Sequence, residues 1–265
     1  MTKQPEADTA RASAARVYNV YLGGEQNFAV DRAFADQMIA TVPEVPIVAR
    51  LNRAFLRRAV QACARAGVEQ FLDIGSGIPD RDSTLDFAAA VRPDSRVVYL
   101  DFEPVAVERG RAALAGEPRA RMGYADLRDP EGVLGSPEVA ELLDLSRPVA
   151  LLMLGVLHYV ADEEHPRAIV TRYRDAVAPG SYLVVSHGTD DGRPEPVRDM
   201  IDLTAAESQN PAYMRGRAEI AAFLDGFQLL APGVVYLPDW RPEPGDDPGT
   251  PSARVMAYGA VGRRP

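Results

Sequence analysis

Five apolar runs, at residues 70–74, 96–100, 120–124, 149–154 and 182–186, punctuate the middle of the chain, and amphipathic stretches separate them. The runs are short and mostly apolar. Between them, residues 81–91, 104–115, 137–145 and 163–177 are predicted as helices, with Pro104 and Pro137 suited to first-turn positions and Pro179-Gly180 marking a stop. Strand, helix, strand in regular succession predicts a parallel sheet with crossover helices. Ahead of it, helices are expected at 11–22, 31–39 and 47–66, broken by Gly23-Gly24 and closed by Gly67. Val48, Leu51, Phe55, Leu56 and Val60 recur on one face of the third. After the fifth run come a Pro- and Asp-rich loop at 189–196, helices near 197–208 and 218–224, and apolar runs at 233–237 and 254–261 joined by a Pro, Gly and Asp loop. That arrangement suits an antiparallel hairpin.

The expected architecture is α/β, a Rossmann-like, mostly parallel sheet with a C-terminal antiparallel hairpin and an N-terminal helical extension. Residues 1–10 read as a polar, disordered tail, 11–67 as a helical lid or extension, and 68–265 as one domain with a cap insertion at about 189–217. No internal repeat is visible.

The chemistry concentrates where the first two runs end. Phe71-Leu-Asp-Ile-Gly-Ser-Gly-Ile-Pro79 closes the first on an acid and two glycines, and Arg96-Val-Val-Tyr-Leu-Asp101 closes the second on another acid. Gly75 and Gly77 allow a sharp turn and close approach of a ligand to the backbone. Asp101 is placed to accept hydrogen bonds from both hydroxyls of a ribose. In a dinucleotide fingerprint a third glycine follows, but here that position is Asp80, a carboxylate that repels a pyrophosphate. S-adenosyl-L-methionine carries no phosphate and has two cationic groups, so Asp73 before the glycines favours it over NAD or FAD.

Composition narrows the class further. The 265 residues are 46% hydrophobic, enough for a substantial core, and the net charge of -9 disfavours a nucleic-acid groove as the main surface. The Arg groups at 50–58 and 119–121 read as solvated faces. One cysteine, Cys63, excludes an intrachain disulfide, and His158, His165 and His187 are too scattered for a metal site, so no metal is expected. No run approaches the ~20 apolar residues of a membrane span, and the N-terminus lacks a signal-peptide core; a cytoplasmic protein without membrane contact is expected.

The collected residues resemble class I S-adenosylmethionine-dependent methyltransferases over roughly 70–262, whose sheet has seven strands with an antiparallel last strand. More closely, Ala15-Arg-Val-Tyr18, Gly23-Gly-Glu-Gln-Asn-Phe28 with Asp31, Asn52-Arg-Ala-Phe-Leu56 and Gly233-Val-Val are similar to an actinobacterial S-adenosyl methyltransferase family long carried as a domain of unknown function. The resemblance implies Asp73, Gly75 and Gly77 along the methionine part of the cofactor and Asp101 on the ribose. It further implies Phe102 against the adenine, Asp126 and Leu127 at the adenine edge, Gly155 to His158 beside the cofactor amino acid, and S-adenosyl-L-homocysteine as product. Three segments depart from the usual pattern: Leu85 and Ser83 stand where His and Asn are common, His158-Tyr159 replaces a His-His pair, and Asn19 replaces an acid.

Around this core the candidate residues have two readings each. His158 is a base or positioning residue for the acceptor, or a histidine satisfied at a strand end. Tyr18, Tyr21, Asn27 and Phe28 form a lid, or cover a sheet edge. Asn52 and Arg53, with Arg16, bind an acceptor or pair locally. His187, Tyr213, Met214 and Arg215 line the acceptor pocket, or pack the cap. The leading expectation is a methyltransferase acting on a small molecule by O-, N- or C-methylation, as a monomer or homodimer. The alternatives are a cofactor-binding protein without turnover and an enzyme using the bound sulfonium for another reaction.

Overall fold

The computed structural model describes residues 6–79, 82–192 and 194–265. Asp80, the third-glycine position, Arg81, the expected start of a helix, Arg193 in the expected loop, and the first five residues of the expected tail lie outside the described residues.

Three helices, α1 (Ala14–Tyr21), α2 (Ala29–Thr41) and α3 (Val45–Arg65), precede the sheet. The alternating part then runs β1 (Gln70–Ile74), α4 (Thr84–Ala89), β2 (Arg96–Asp101), α5 (Pro104–Ala113), β3 (Ala120–Tyr124), α6 (Pro130–Leu134), α7 (Pro137–Leu142), β4 (Val149–Leu154), α8 (Pro166–Ala176) and β5 (Tyr182–Gly188). The C-terminal part is α9 (Pro194–Glu207), α10 (Arg217–Ala222), β6 (Gln228–Leu229), β7 (Val235–Tyr236), α11 (Pro251–Arg254) and β8 (Ala257–Arg263). Proline opens many of these helices, where its fixed φ is preorganised and its missing N–H has no intrahelical partner to lose.

The eight strands order as β3-β2-β1-β4-β5-β8-β6, with β7 also on β8. Pairing is parallel from β3 to β5 and antiparallel at β8. The chain order reverses between β1 and β4, the crevice where open α/β sheets bind ligands. Two short pieces share the sixth strand position: Leu229 pairs with Gly262 and Val235 with Gly259, and the cis Ala231-Pro232 bond lies between them. The run expected at 233–237 is therefore only half the story, and the strand expected from 254 starts at Ala257 because Arg254 ends a helix.

Strand alternation divides the core. Val98, Leu100, Leu151, Met153, Leu183 and Val185 face Ile169, Tyr173 and Phe223. Val97, Tyr99, Leu152 and Val184 face Phe55, Leu56 and Ala59 of α3. A third cluster joins Val17, Phe34, Met38 and Val45 to Val197 and Met200 of α9, so the N-terminal helices and the cap pack together. The end of the expected tail is held as well: the Asp8 carbonyl accepts from Arg16 and Gln209. Arg58, expected on a solvated face, is buried, donating to the carbonyls of Trp240 and Leu237 and pairing with Asp246; it anchors the 237–246 loop on α3. Cys63 is buried, and burial pushes its thiol up to about 12, away from reactivity. Among the described residues no helix is long and apolar enough to cross a membrane, and no cluster of His, Cys, Asp and Glu could hold a metal ion.

Candidate functional site

Strand β1 is buried along its whole length, with Asp73 only 7% exposed, and the Asp73 Oδ2 accepts a 2.6 Å bond from the Thr84 hydroxyl at the start of α4. The turn that follows needs left-handed backbone twice, with φ of 73° at Gly75 and 64° at Gly77. A Cβ on Gly75 would stand 2.4 Å from Val156 Cγ1, because the turn abuts the segment after β4. Gly75→Ala therefore meets both a strained φ and a clash. We expect it to cost a few kcal/mol of stability by urea unfolding and to weaken cofactor binding. Gly77→Ala meets open space and should cost less.

The second acid completes the turn. Asp101 Oδ2 accepts from the Gly77 N–H at 2.8 Å and Oδ1 from the Glu103 N–H at 2.9 Å. A carboxylate has about four lone-pair sites, so acceptor capacity remains for a ligand. Burial raises both Asp73 and Asp101 to about 6, opposed by the Thr84 hydroxyl at one and the backbone N–H groups at the other. At the outer end, Asp126 is engaged by Arg128, whose Nη2 lies 2.6 Å from its Oδ2 and whose guanidinium stands 5.8 Å from the Phe102 ring centre. Leu127 is buried, and its carbonyl accepts from Tyr173.

Across the β1/β4 crevice, Gly155 has φ of 66°, and a Cβ there would lie 3.6 Å from Asn52 Nδ2 and 3.7 Å from His158 Cε1. Asn52 reaches down from α3: its Oδ1 accepts from the Ser186 hydroxyl at 2.6 Å, and its Nδ2 donates to Tyr18 Oη at 3.2 Å. Tyr18 in turn donates to the Ala49 carbonyl. Half-buried His158 packs edge-on against Tyr159, ring centres 4.3 Å apart. Burial raises the Tyr159 hydroxyl to about 12 and raises Tyr21 further, with each subject to a neighbouring tyrosine. The Tyr21 hydroxyl is buried without a hydrogen-bond partner among the described residues. Arg53 donates to the Asp82 carbonyl above the glycine turn, and its charge bears on Asp73 and Tyr18.

Several expected pocket residues are spent elsewhere. Arg215 is buried and donates to the Leu157 and Val160 carbonyls, Asp162 and His187 Nε2; it pins the segment after β4 instead of facing an acceptor. His187 is 1% exposed and fully engaged. Tyr213 points largely outward, although its N–H holds the His158 carbonyl at 2.7 Å. Met214 does reach inward, packing on the Gly188 backbone beside His158. Asn27 knits its own loop, donating to Asn19 Oδ1 and the Gly24 carbonyl, and exposed Phe28 lies under Arg16. Residue types at these positions suited a pocket, but a polar cap needs internal partners too.

Sequence reasoning missed the connection between the helical extension and the cofactor side. Arg16 is fully buried, bonded to Asp31 Oδ2 at 2.8 Å and to Glu103 Oε1 at 2.6 Å. Glu103 also caps α5 through the Ala106 N–H, so α1 is tied directly to the turn after Asp101. Ser186, which holds Asn52, also went unforeseen; no local motif marks it.

A mostly parallel sheet of this order, with two buried acids flanking a glycine turn at its switch point, defines the Rossmann-like methyltransferase class. The chain belongs to the S-adenosyl methyltransferase family, whose model matches residues 1–265. It is similar to a protein from Thermobifida fusca YX assigned as a methyltransferase, at 39% identity and TM-score 0.91, over 97% of this chain and 96% of that one. A DUF574 family protein from Streptomyces avermitilis MA-4680 is 38% identical with TM-score 0.92, over 97% of this chain and 99% of that one. The N-methyltransferase NodS from Bradyrhizobium japonicum WM9, in complex with S-adenosyl-L-homocysteine, shares the fold at 14% identity and TM-score 0.51, over 94% of this chain and 99% of that one. No curated protein sequence matches the chain. The protein is an S-adenosylmethionine-dependent methyltransferase. Its residues fit that cofactor: Asp73 and Asp101 are buried with acceptor sites to spare, and the left-handed turn between them leaves the space beside Gly77 open.

Proposed function

We propose that the chain methylates a small-molecule acceptor at the β1/β4 crevice, with Asp73 and the 75–77 turn on the methionine part of the cofactor. Asp101 takes the ribose hydroxyls, and Phe102, Asp126 and Leu127 bound the adenine. The bound cofactor supplies an activated methyl group on a sulfonium, so the protein's own task is to align the acceptor and exclude water. One observation supports the small-molecule reading: Asn52 ties Tyr18 of α1 to Ser186 at the end of β5 and stands with His158 beside Gly155, so α1 and α3 cover the crevice there, and we take the space beneath them as the acceptor mouth. A small acceptor reaches under that cover more readily than a reacting atom on a folded macromolecule. The net charge of -9 supports the same choice over nucleic acid. The protein acts in the cytoplasm, apart from membranes, as a monomer or homodimer, with 11–67 as lid and 189–217 as cap on the 68–265 domain.

Calorimetric titration with S-adenosylmethionine, S-adenosylhomocysteine and NAD tests the cofactor assignments, and mass analysis after incubation with small acceptors tests the rest. Binding of NAD alone, or transfer only to a protein or nucleic acid, would overturn the reading. The two acids add a pH prediction. Ionised carboxylates hold the cationic cofactor and its ribose best, so affinity should fall by roughly tenfold per unit for each proton taken up below about 6. The ligand-free protein should respond oppositely. Because folding raises these groups from 3.8 to about 6, their contribution opposes folding above 6 and is relieved as pH falls from about 6 toward 3.8.

A further inference from the structure

We propose that His158 is a neutral hydrogen-bond donor that positions the acceptor through its Nε2–H, and that the acceptor is an oxygen acid already ionised at neutral pH, a carboxylate in the simplest case. The inference rests on the acceptor mouth proposed above.

The proton positions follow from groups that can only donate. A guanidinium has no lone pair to offer, so Arg215 Nη1, 3.1 Å from His187 Nε2, makes that nitrogen an acceptor. The His187 proton is then on Nδ1, which donates to the Gly188 carbonyl at 2.7 Å. A backbone N–H is likewise donor only. The Gly188 N–H faces His158 Nδ1 at 3.4 Å, a long bond, which puts the His158 proton on Nε2. That nitrogen has no partner among the described residues, and Cε1 beside it lies toward Gly155 and Asn52.

A ring in this state is a poor base. Nε2 already carries its proton, and protonating Nδ1 would break the Gly188 bond and add a second positive charge near Arg215. Burial, followed by the Arg215 charge, holds the ring down to about 4. The groups facing it are Arg215 from the segment before α10, His187 from β5 and Tyr159 from the turn after β4, while Tyr18 of α1 bears on Tyr159. None is a carboxylate. An alcohol or a protonated amine needs a group to take its proton, whereas a carboxylate does not. Its oxygen lone pair forms the new O–C bond as the C–S bond breaks, the electron pair of that bond stays on sulfur, and a methyl ester and a thioether result with no proton released. Anion and sulfonium cation neutralise each other in this step, which a half-buried position beside Tyr159 favours more than water does.

Three histidines make the test direct. Wild-type protein labelled with 15N-histidine, its exposed His165 identified with His165→Gln, should show His158 as the Nε2–H tautomer and His187 as the Nδ1–H tautomer. Neither should titrate between pH 5.5 and 8.5. With S-adenosylhomocysteine bound, benzoate should shift the His158 Nε2–H resonance, and benzylamine and benzyl alcohol should not. Turnover, once a carboxylate acceptor is in hand, should be flat in pH over that range, lost at least tenfold in His158→Ala and largely kept in His158→Gln, which retains a donor. An Nδ1–H tautomer at His158, titration near neutrality, or a response to benzylamine but not benzoate would overturn the proposal. Titrating S-adenosylhomocysteine into the same sample separates the two readings: without binding the proposed cofactor site fails, and with binding but the wrong tautomer only this inference does.

Discussion

Replacing Arg16 with Met should remove about 3–5 kcal/mol of folding stability, a large share of the ~5–15 kcal/mol typical of a whole domain. The reason is what stays behind. Asp31 and Glu103 are both buried, and each would keep a negative charge without its guanidinium, while the carbonyls of Asp8 and Arg11 would lose a donor. Urea unfolding measures the loss. Adding Asp31→Asn and Glu103→Gln to the Arg16→Met protein should recover much of it, since neutral side chains relieve the stranded charge. A single Arg16→Met protein as stable as wild type would show that the network is ornamental. Cofactor affinity should fall in parallel, because Glu103 without Arg16 is a freer negative charge two residues from Asp101, and its charge already raises that group.

Asp101→Ala should weaken S-adenosylmethionine on the order of 100-fold or more. Two hydrogen bonds from ribose hydroxyls to an ionised group account for roughly 1.5–3 kcal/mol each, and about 1.4 kcal/mol is tenfold. The Gly77 and Glu103 N–H groups also lose their acceptor, so the turn itself loosens. Asp101→Asn separates these effects, keeping one acceptor oxygen without the charge, and should bind with intermediate affinity. Calorimetry on all three proteins decides; wild-type affinity in the Ala variant would remove Asp101 from the ribose.

The strands and their acids were legible because buried parallel strands write themselves as short, mostly apolar runs, and a sharp turn after one requires glycine. Asp73, Gly75, Gly77 and Asp101 follow from that local rule. What was not legible depends on partners distant in sequence. Arg16 meets Glu103 across 87 positions and Asn52 meets Ser186 across 134, and nothing near either residue announces the other. His187 and Arg215 misled for a related reason: their chemistry suits a pocket, but here it is used up holding the turn after β4 in place. The short elements failed differently. Residues 228–236 make two strands of two residues each around Pro232, too brief for any period to register.

That broken sixth position bears on how molecules of this protein behave when crowded together. A long, flat outer strand is a template on which a foreign chain can continue the ladder. Here the border beyond β8 offers two stubs set apart by a cis proline, each too short to seed continued pairing. The opposite border, β3, carries the charged side chain of Arg121, paired with Glu141. Each rim of the sheet is thus blunted by different means, one by interruption and one by charge, and the sheet gives a neighbouring chain little purchase for runaway self-association.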